Sequence, residues 1–245
     1  MKIELFIPCF VDQLYPQTAF NTLKILEKAG CEVGYNPKQT CCGQPAYNAG
    51  YWEEAKDIGL KFLNEFSDAD YIVAPSASCV GMVRTGFDDL FTNTTVHNKC
   101  RSVQSQIFEL SDFLINVLKR DYFGAELEGK AVYHDSCSGL RDCKIKEEPR
   151  QLLSKVHGLE MVEMVDTDMC CGFGGTFAVK FDAISSAMAE QKVNNALAMD
   201  AEYIISTDLS CLMHLDGYIQ KNNITLKTMH IADVLANGWL ESTEY

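Results

Sequence analysis

The chain has no long apolar run. No stretch reaches the roughly 18–20 consecutive apolar residues of a membrane-spanning helix, although 47% of its 245 residues are hydrophobic, enough for one compact body or two small lobes sharing a core. Positive charge is also scarce: 21 lysines and arginines stand against 34 aspartates and glutamates, a formal net charge of −13. Repulsion would oppose every approach to nucleic acid or to an anionic membrane, so a nonspecific role at either is set aside. The opening residues Met1-Lys2-Ile3-Glu4-Leu5-Phe6 read as a first strand and lack the cleavage region of a secretory leader. A cytoplasmic location is expected on that basis.

Cysteine, by contrast, is abundant. The chain carries 11 of them, and in a reducing compartment structural disulfides are not expected. Buried apolar cysteine, metal or cluster ligation and redox chemistry are left, and spacing must decide among them.

The spacing reveals a tandem duplication. The first half runs from Ile3-Glu4-Leu5-Phe6-Ile7-Pro8-Cys9 to Cys41-Cys42-Gly43 and then to Tyr71-Ile72-Val73-Ala74-Pro75-Ser76-Ala77-Ser78-Cys79. The second half repeats this as Ala131-Val132-Tyr133-His134-Asp135-Ser136-Cys137, Cys170-Cys171-Gly172 and Tyr203-Ile204-Ile205-Ser206-Thr207-Asp208-Leu209-Ser210-Cys211. Cys9 and Cys41 lie 32 positions apart and Cys137 and Cys170 lie 33 apart, while the last intervals are 37 and 40.

Each half reads as strand, helix, strand, cysteine loop, helix, strand, helix. Helices are predicted over Ala19–Ala29 and Trp52–Phe66 in the first half, and over Glu148–Val156, Phe177–Ala198 and Leu212–Gln220 in the second. Two more, Ser105–Arg120 and Ile231–Asn237, would close the halves. Tyr71–Ala74 is short and wholly apolar, as expected of a strand buried on both faces. The predicted class is therefore α/β: a duplicated strand–helix unit with mostly parallel sheets, forming two lobes related by a pseudo-twofold axis. The polar stretch Asp121–Gly129 places the boundary between a first repeat, 1–125, and a second, 126–245. In such sheets ligands sit at the carboxyl ends of strands, where all the duplicated cysteines fall.

Those cysteines are Cys9, Cys41, Cys42 and Cys79 in one set, and Cys137, Cys170, Cys171 and Cys211 in the other. Adjacent cysteines in a loop that opens a helix can aim two sulfurs at one metal core, and the backbone N–H groups there favour anionic thiolates. The glycines that follow allow close backbone approach. Iron–sulfur clusters are the preferred occupants, and zinc in a closed four-thiolate site is the alternative. Cys31, which aligns with Leu159, and the unduplicated Cys100 and Cys143 are read as packing residues.

The doubled pattern resembles the cysteine-rich CCG domain shared by the heterodisulfide reductases, the iron–sulfur subunits of glycolate oxidase and anaerobic glycerol-3-phosphate dehydrogenase, and lactate utilisation protein A. The likeness is greatest to the last of these families. It is carried by Thr40-Cys41-Cys42-Gly43-Gln44-Pro45-Ala46, Val132-Tyr133-His134-Asp135-Ser136-Cys137-Ser138, Cys170-Cys171-Gly172-Phe173-Gly174-Gly175-Thr176-Phe177 and Met229-His230-Ile231-Ala232-Asp233-Val234-Leu235. The resemblance implies an electron-transfer subunit of a multi-protein system that oxidises L-lactate to pyruvate, with other subunits and a redox partner beside it. A subunit for another 2-hydroxy acid such as glycolate, or for a thiol–disulfide reaction, stands as the alternative within redox chemistry. A non-catalytic zinc or assembly protein is the alternative outside it.

The fullest form of the CCG pattern ends each repeat in Cys-x-x-Cys, but here Ser76 and Asp208 hold the earlier position. This departure favours a four-thiolate [4Fe-4S] cluster, or a site open to an oxygen ligand such as Asp208, for which helix capping is the more ordinary use. His134 and His214 flank the second set; each could tune a cluster or relay a proton, but both are read as hydrogen-bonded histidines beside strand ends. The run Gly172–Gly175 lacks dinucleotide-binding spacing, and nothing in the placement of Arg84, Arg101, Arg141 or Lys180 marks a carboxylate site.

Overall fold

A computed structural model describes residues 1–239, so 240–245 of the second expected repeat lie outside it. Among the described residues eight strands form two sheets. The first contains β1 (Lys2–Leu5), β2 (Glu32–Gly34), β3 (Ile72–Ala74) and β4 (Ile107–Glu109), in the order β2-β1-β3-β4. The second contains β5 (Glu126–Tyr133), β6 (His157–Val162), β7 (Tyr203–Ser206) and β8 (Lys227–His230), in the order β6-β5-β7-β8. Every pairing is parallel, which requires crossover connections that cover the sheets with helices. The registers also correspond: Glu4 faces Ile72 in the first sheet, and Val132 faces Ile204 in the second.

Local sequence accounts for the main helices. Pro16 begins the helix Pro16–Lys28, where its missing N–H costs nothing, and Gly30 follows the end with φ 86°. The helix Trp52–Phe66 carries Glu53 and Glu54 in its first turn, favourable against the dipole, and buries Ala55, Gly59, Phe62, Leu63 and Phe66 along one face.

Three expectations needed correction. The predicted helix Ser105–Arg120 is interrupted by β4. Ile107, Phe108 and Glu109 pair in register with Ile72, Val73 and Ala74, and Glu109 then caps a new helical start by accepting from the amides of Ser111 and Asp112. The second half likewise has a fourth strand, β8, ahead of the helix Ile231–Leu235. The predicted helix Phe177–Ala198 divides into Thr176–Lys180 and Asp182–Leu197, because Phe181 leaves helical geometry at φ −130°.

The lobes exchange contacts reciprocally. Helix Ile231–Leu235, which ends the second unit, packs on Pro16–Lys28 of the first; Leu110–Asp112, which follows the last strand of the first, packs on Glu147–Leu153 of the second. Thr18 and Asn21 donate to Asp233 at 2.8 and 2.9 Å across this seam. One hydrophobic core runs through both lobes, from Ile25, Leu26 and Phe113 to Leu152, Ile231 and Leu235. Truncating a residue such as Leu152 to Ala would cost about 2–5 kcal/mol. Such paired, swapped contacts are what a pseudo-twofold arrangement of duplicated units produces.

Candidate metal centres

The carboxyl ends of β1 and β3 and the loop 35–43 bring the first cysteine set together. Cys9 opens the helix Cys9–Leu14 just beyond β1. Cys79 lies in the helix Ala77–Gly81 beyond β3, where Ser76 caps the helix by accepting from the Cys79 amide. Cys41 and Cys42 precede Gly43, whose φ of 87° and position against the Ala55 carbonyl, 3.2 Å from where a Cβ would stand, demand glycine. The Cys9 and Cys41 sulfurs are 3.5 Å apart, Cys42 bridges Cys41 and Cys79, and the Gly43 amide donates to the Cys41 sulfur at 3.3 Å.

The second set repeats this geometry. Cys170 contacts Cys137 and Cys171, and Cys171 contacts Cys211. The amides of Gly172 and Phe173 donate to the sulfurs of Cys170 and Cys171 at 3.4 and 3.5 Å. Gly172 has φ 95°, and a Cβ there would collide with the Ser185 carbonyl at 2.6 Å.

Both sets line one cavity of about 770 Å³ between the lobes. Asp208 sits at its seam. It caps the helix Leu209–Lys221 by accepting from the Ser210 amide, and its other oxygen accepts from the Ser78 amide of the opposite lobe at 2.8 Å. Capping, the more ordinary of its two expected uses, is thus observed. Asp89, Asp142 and Asp208 line the cavity, and among the described residues no lysine, arginine or histidine does so.

Thiol chemistry within each set is polarised. Hydrogen bonds from Cys42 and Cys9 lower Cys41 to about 3, and those from Cys137 and Cys171 lower Cys170 to about 2. Their partners Cys9, Cys42, Cys137 and Cys171 are raised, first by donating to that thiolate and then by burial. One thiolate per set is stabilised by neighbouring thiols, and ionising the others requires a cation to offset their mutual repulsion. Sulfur donors converging at strand ends, with backbone N–H groups turned toward them, suit a thiophilic metal or cluster.

All 11 cysteines are free. Cys31, Cys100 and Cys143 are buried and do not line the cavity; the Cys143 thiol donates to the Ala77 carbonyl at 3.3 Å. Arg84 is occupied by the carbonyls of Ile107 and Cys143 and by Asp112. His214 meets the Ser185 hydroxyl at 3.1 Å, as expected of a hydrogen-bonded histidine. His134 departs from that expectation: it is fully buried, yet neither ring nitrogen has a hydrogen-bond partner. Burial, with Lys192 nearby, lowers its pKa to about 3.

Residues 3–84 and 131–216 match the cysteine-rich domain of the CCG family. Over 239 residues, 97% of this chain and 99% of the relative, the sequence is 41% identical to lactate utilization protein A 2 of Bacillus cereus strain 03BB102. The chain belongs to the lactate utilization protein A family. A second member of that family, from Geobacillus sp. strain WCH70, is 40% identical over 235 residues, 96% of this chain and 99% of that protein. The fold is also similar to the crystal structure of a hypothetical protein from Helicobacter pylori, with a TM-score of 0.65 and 12% identity. That match covers 98% of this chain, which spans about half (49%) of the Helicobacter chain. No helix among the described residues is long and apolar enough to cross a membrane.

Proposed function

We propose that this member of the lactate utilization protein A family is a cytoplasmic iron–sulfur electron-transfer subunit of a multi-protein system that oxidises L-lactate to pyruvate. The observation that carries the proposal is the convergence of two cysteine sets on one inter-lobe cavity. The names of the curated relatives supply the link to lactate. Cys9, Cys41, Cys42 and Cys79 would hold one [4Fe-4S] cluster, and Cys137, Cys170, Cys171 and Cys211 another. When bound, such clusters accept and release single electrons.

The chain's own residues support a relay. The glycine-rich loops bring N–H donors to the sulfurs, the lobes exclude bulk water from the buried Cys42, Cys171 and Cys211, and Ser78 and Asp208 tie the two centres' helices together. Among the described residues the acidic lining offers no cationic partner for a 2-hydroxy acid carboxylate, which favours substrate oxidation by a partner protein with its own cofactor. The negative net charge favours a partner with a basic docking face.

The test is anaerobic reconstitution, with iron and acid-labile sulfide determination and electron paramagnetic resonance of the reduced protein. Lactate-dependent dye reduction follows, first with the single chain and then with its co-expressed neighbours. Bound iron and sulfide, no turnover alone and turnover in the assembly are expected; robust turnover by the single chain would overturn the relay. A second reading, structural zinc, is favoured by the 3.5 Å contact of Cys9 with Cys41, close to the roughly 3.8 Å between thiolates bound at about 2.3 Å to one tetrahedral ion. Zinc in place of iron and sulfide in the anaerobically purified protein would establish it.

A further inference from the structure

The first and second centres differ by one donor. Phe6 and His134 each stand three residues before the first cysteine of their set, and their amides donate to equivalent carbonyls, Phe6 to Val73 at 2.9 Å and His134 to Ile205 at 2.8 Å. Phe6 lies in an aromatic cluster with Phe62 and Phe66. The first lobe therefore shows that an apolar ring satisfies this backbone position. An imidazole placed there instead is fully desolvated, with both ring nitrogens unpartnered, and such groups are costly unless something binds them.

One ring nitrogen of His134 and the sulfurs of Cys171 and Cys211 all lie within 4.8 Å of one another, yet no hydrogen bond joins His134 to either sulfur. A nitrogen and a sulfur bound to one metal at about 2.0–2.3 Å are roughly 3.6 Å apart, so the ring can reach an iron held at Cys171 or Cys211 with small adjustments. We infer that His134 is a nitrogen ligand of the second centre, taking on one iron the terminal position that the thiolate of Cys171 or Cys211 would otherwise fill, where the first centre offers sulfur alone. This rests on the proposal that the second cysteine set holds an iron–sulfur cluster. A neutral imidazole in place of an anionic thiolate raises the reduction potential of the iron it binds, so the second centre becomes the more readily reduced of the two.

The experiment uses the full chain, rebuilt anaerobically, assayed for iron and sulfide, and then reduced. Pulsed electron paramagnetic resonance is compared between natural-abundance protein and protein carrying ¹⁵N-histidine. A histidine nitrogen coupling of the strength of a directly bonded imidazole is expected in the wild type. It should persist in His214→Gln and vanish in His134→Phe, which restores the first lobe's residue and should also lower the potential of one centre. Bound iron and sulfide without a strong histidine coupling in the wild type overturns the ligand assignment and leaves the relay standing. Failure to bind iron and sulfide overturns the relay, and the ligand assignment with it. If His134→Phe does not fold, the isotope comparison in the wild type and in His214→Gln still decides.

Discussion

Behind the first cysteine set the protein is aromatic; behind the second it is polar and charged. Phe6 meets Phe62 edge-on at 4.9 Å between ring centroids. The corresponding pair in the second lobe is His134 and Lys192. The glycine of each cysteine loop abuts a helix at matching points, Gly43 at Ala55 and Ile58 and Gly172 at Ser185 and Met188, and one turn further on stand Phe62 and Lys192. The buried Lys192 ammonium reaches the carbonyls of Asp166 and Thr167 at 2.6 and 3.0 Å, bracing the loop that delivers Cys170. The contrast continues along the strand end, where Ile7 and Pro8 correspond to Asp135 and Ser136. Asp135 is gripped by both terminal nitrogens of Arg150 at 2.9 and 2.8 Å. Identical sheet orders and cysteine stations can thus be built on opposite kinds of support. The backbone and glycines position the sulfurs, and the layer behind them sets the local field.

The largest effects should come from removing the paired cysteines of one set at a time. Cys41→Ser with Cys42→Ser is expected to abolish the first centre and halve bound iron and sulfide, while Cys170→Ser with Cys171→Ser does the same to the second. Equal residual iron with different reduced spectra would sharpen the comparison; loss of all iron from either variant would break it. Next, Phe62→Ala should destabilise the protein by about 3–5 kcal/mol in urea unfolding, because it opens a cavity in an aromatic cluster.

The ends of β4 and β8 provide a pH test of the same contrast. Glu109 and His230 both cap the following helix, but burial acts on them in opposite senses. Burial pushes Glu109 up from 4.5 to about 8, so the folded state retains a proton that the unfolded chain has released. Its contribution therefore falls as pH rises from about 4.5 to about 8, by up to about 1.4 kcal/mol per unit. His230 is lowered from 6.5 by burial, so its contribution is lost as pH falls below about 6.5. The two slopes oppose each other below pH 6.5; between pH 6.5 and 8 the thiolates of Cys41 and Cys170, protonated in the unfolded chain, add stability as pH rises, and Glu109 subtracts from that slope. Melting temperatures of Glu109→Gln should therefore climb more steeply than the wild type's between pH 6.5 and 8; equal slopes would mean that the assignment to Glu109 fails. The smallest effect is expected from Lys192→Met, about 1 kcal/mol, since the charge-assisted bonds it loses are offset by relief of a desolvated ammonium. A cost as large as that of Phe62→Ala would mean that the polar support is as structural as the aromatic one.

Much of this architecture was legible in the sequence, because the duplicated cysteines mark strand ends and the runs before them are short and apolar. The fourth strands were hidden for a physical reason. Ile107, Leu110 and Leu114 fall at helical spacing although Ile107 belongs to a strand, and a strand of three residues leaves no alternation to detect. β8, Lys227–His230, places a polar residue at its exposed start and gives no apolar run. The cysteine sets were readable as lists of residues, but their meeting in one cavity depends on how the lobes dock. The bond from Ser78 to Asp208, 130 positions apart, belongs to that docking. The unpartnered state of His134 was likewise invisible, since it depends on which neighbours fail to reach the ring.

The reciprocal helix exchange has a consequence for ancestry. Two copies of one repeat, docked by the same swapped contacts, would form a closed symmetric dimer in which every substitution appears twice. A lysine gained behind one cysteine loop would then be gained behind the other. Joining the copies in one chain removes that constraint, so one half can keep its phenylalanines while the other takes up an imidazole and an ammonium. Covalent fusion is thus what lets two matching cysteine sets sit in different local fields.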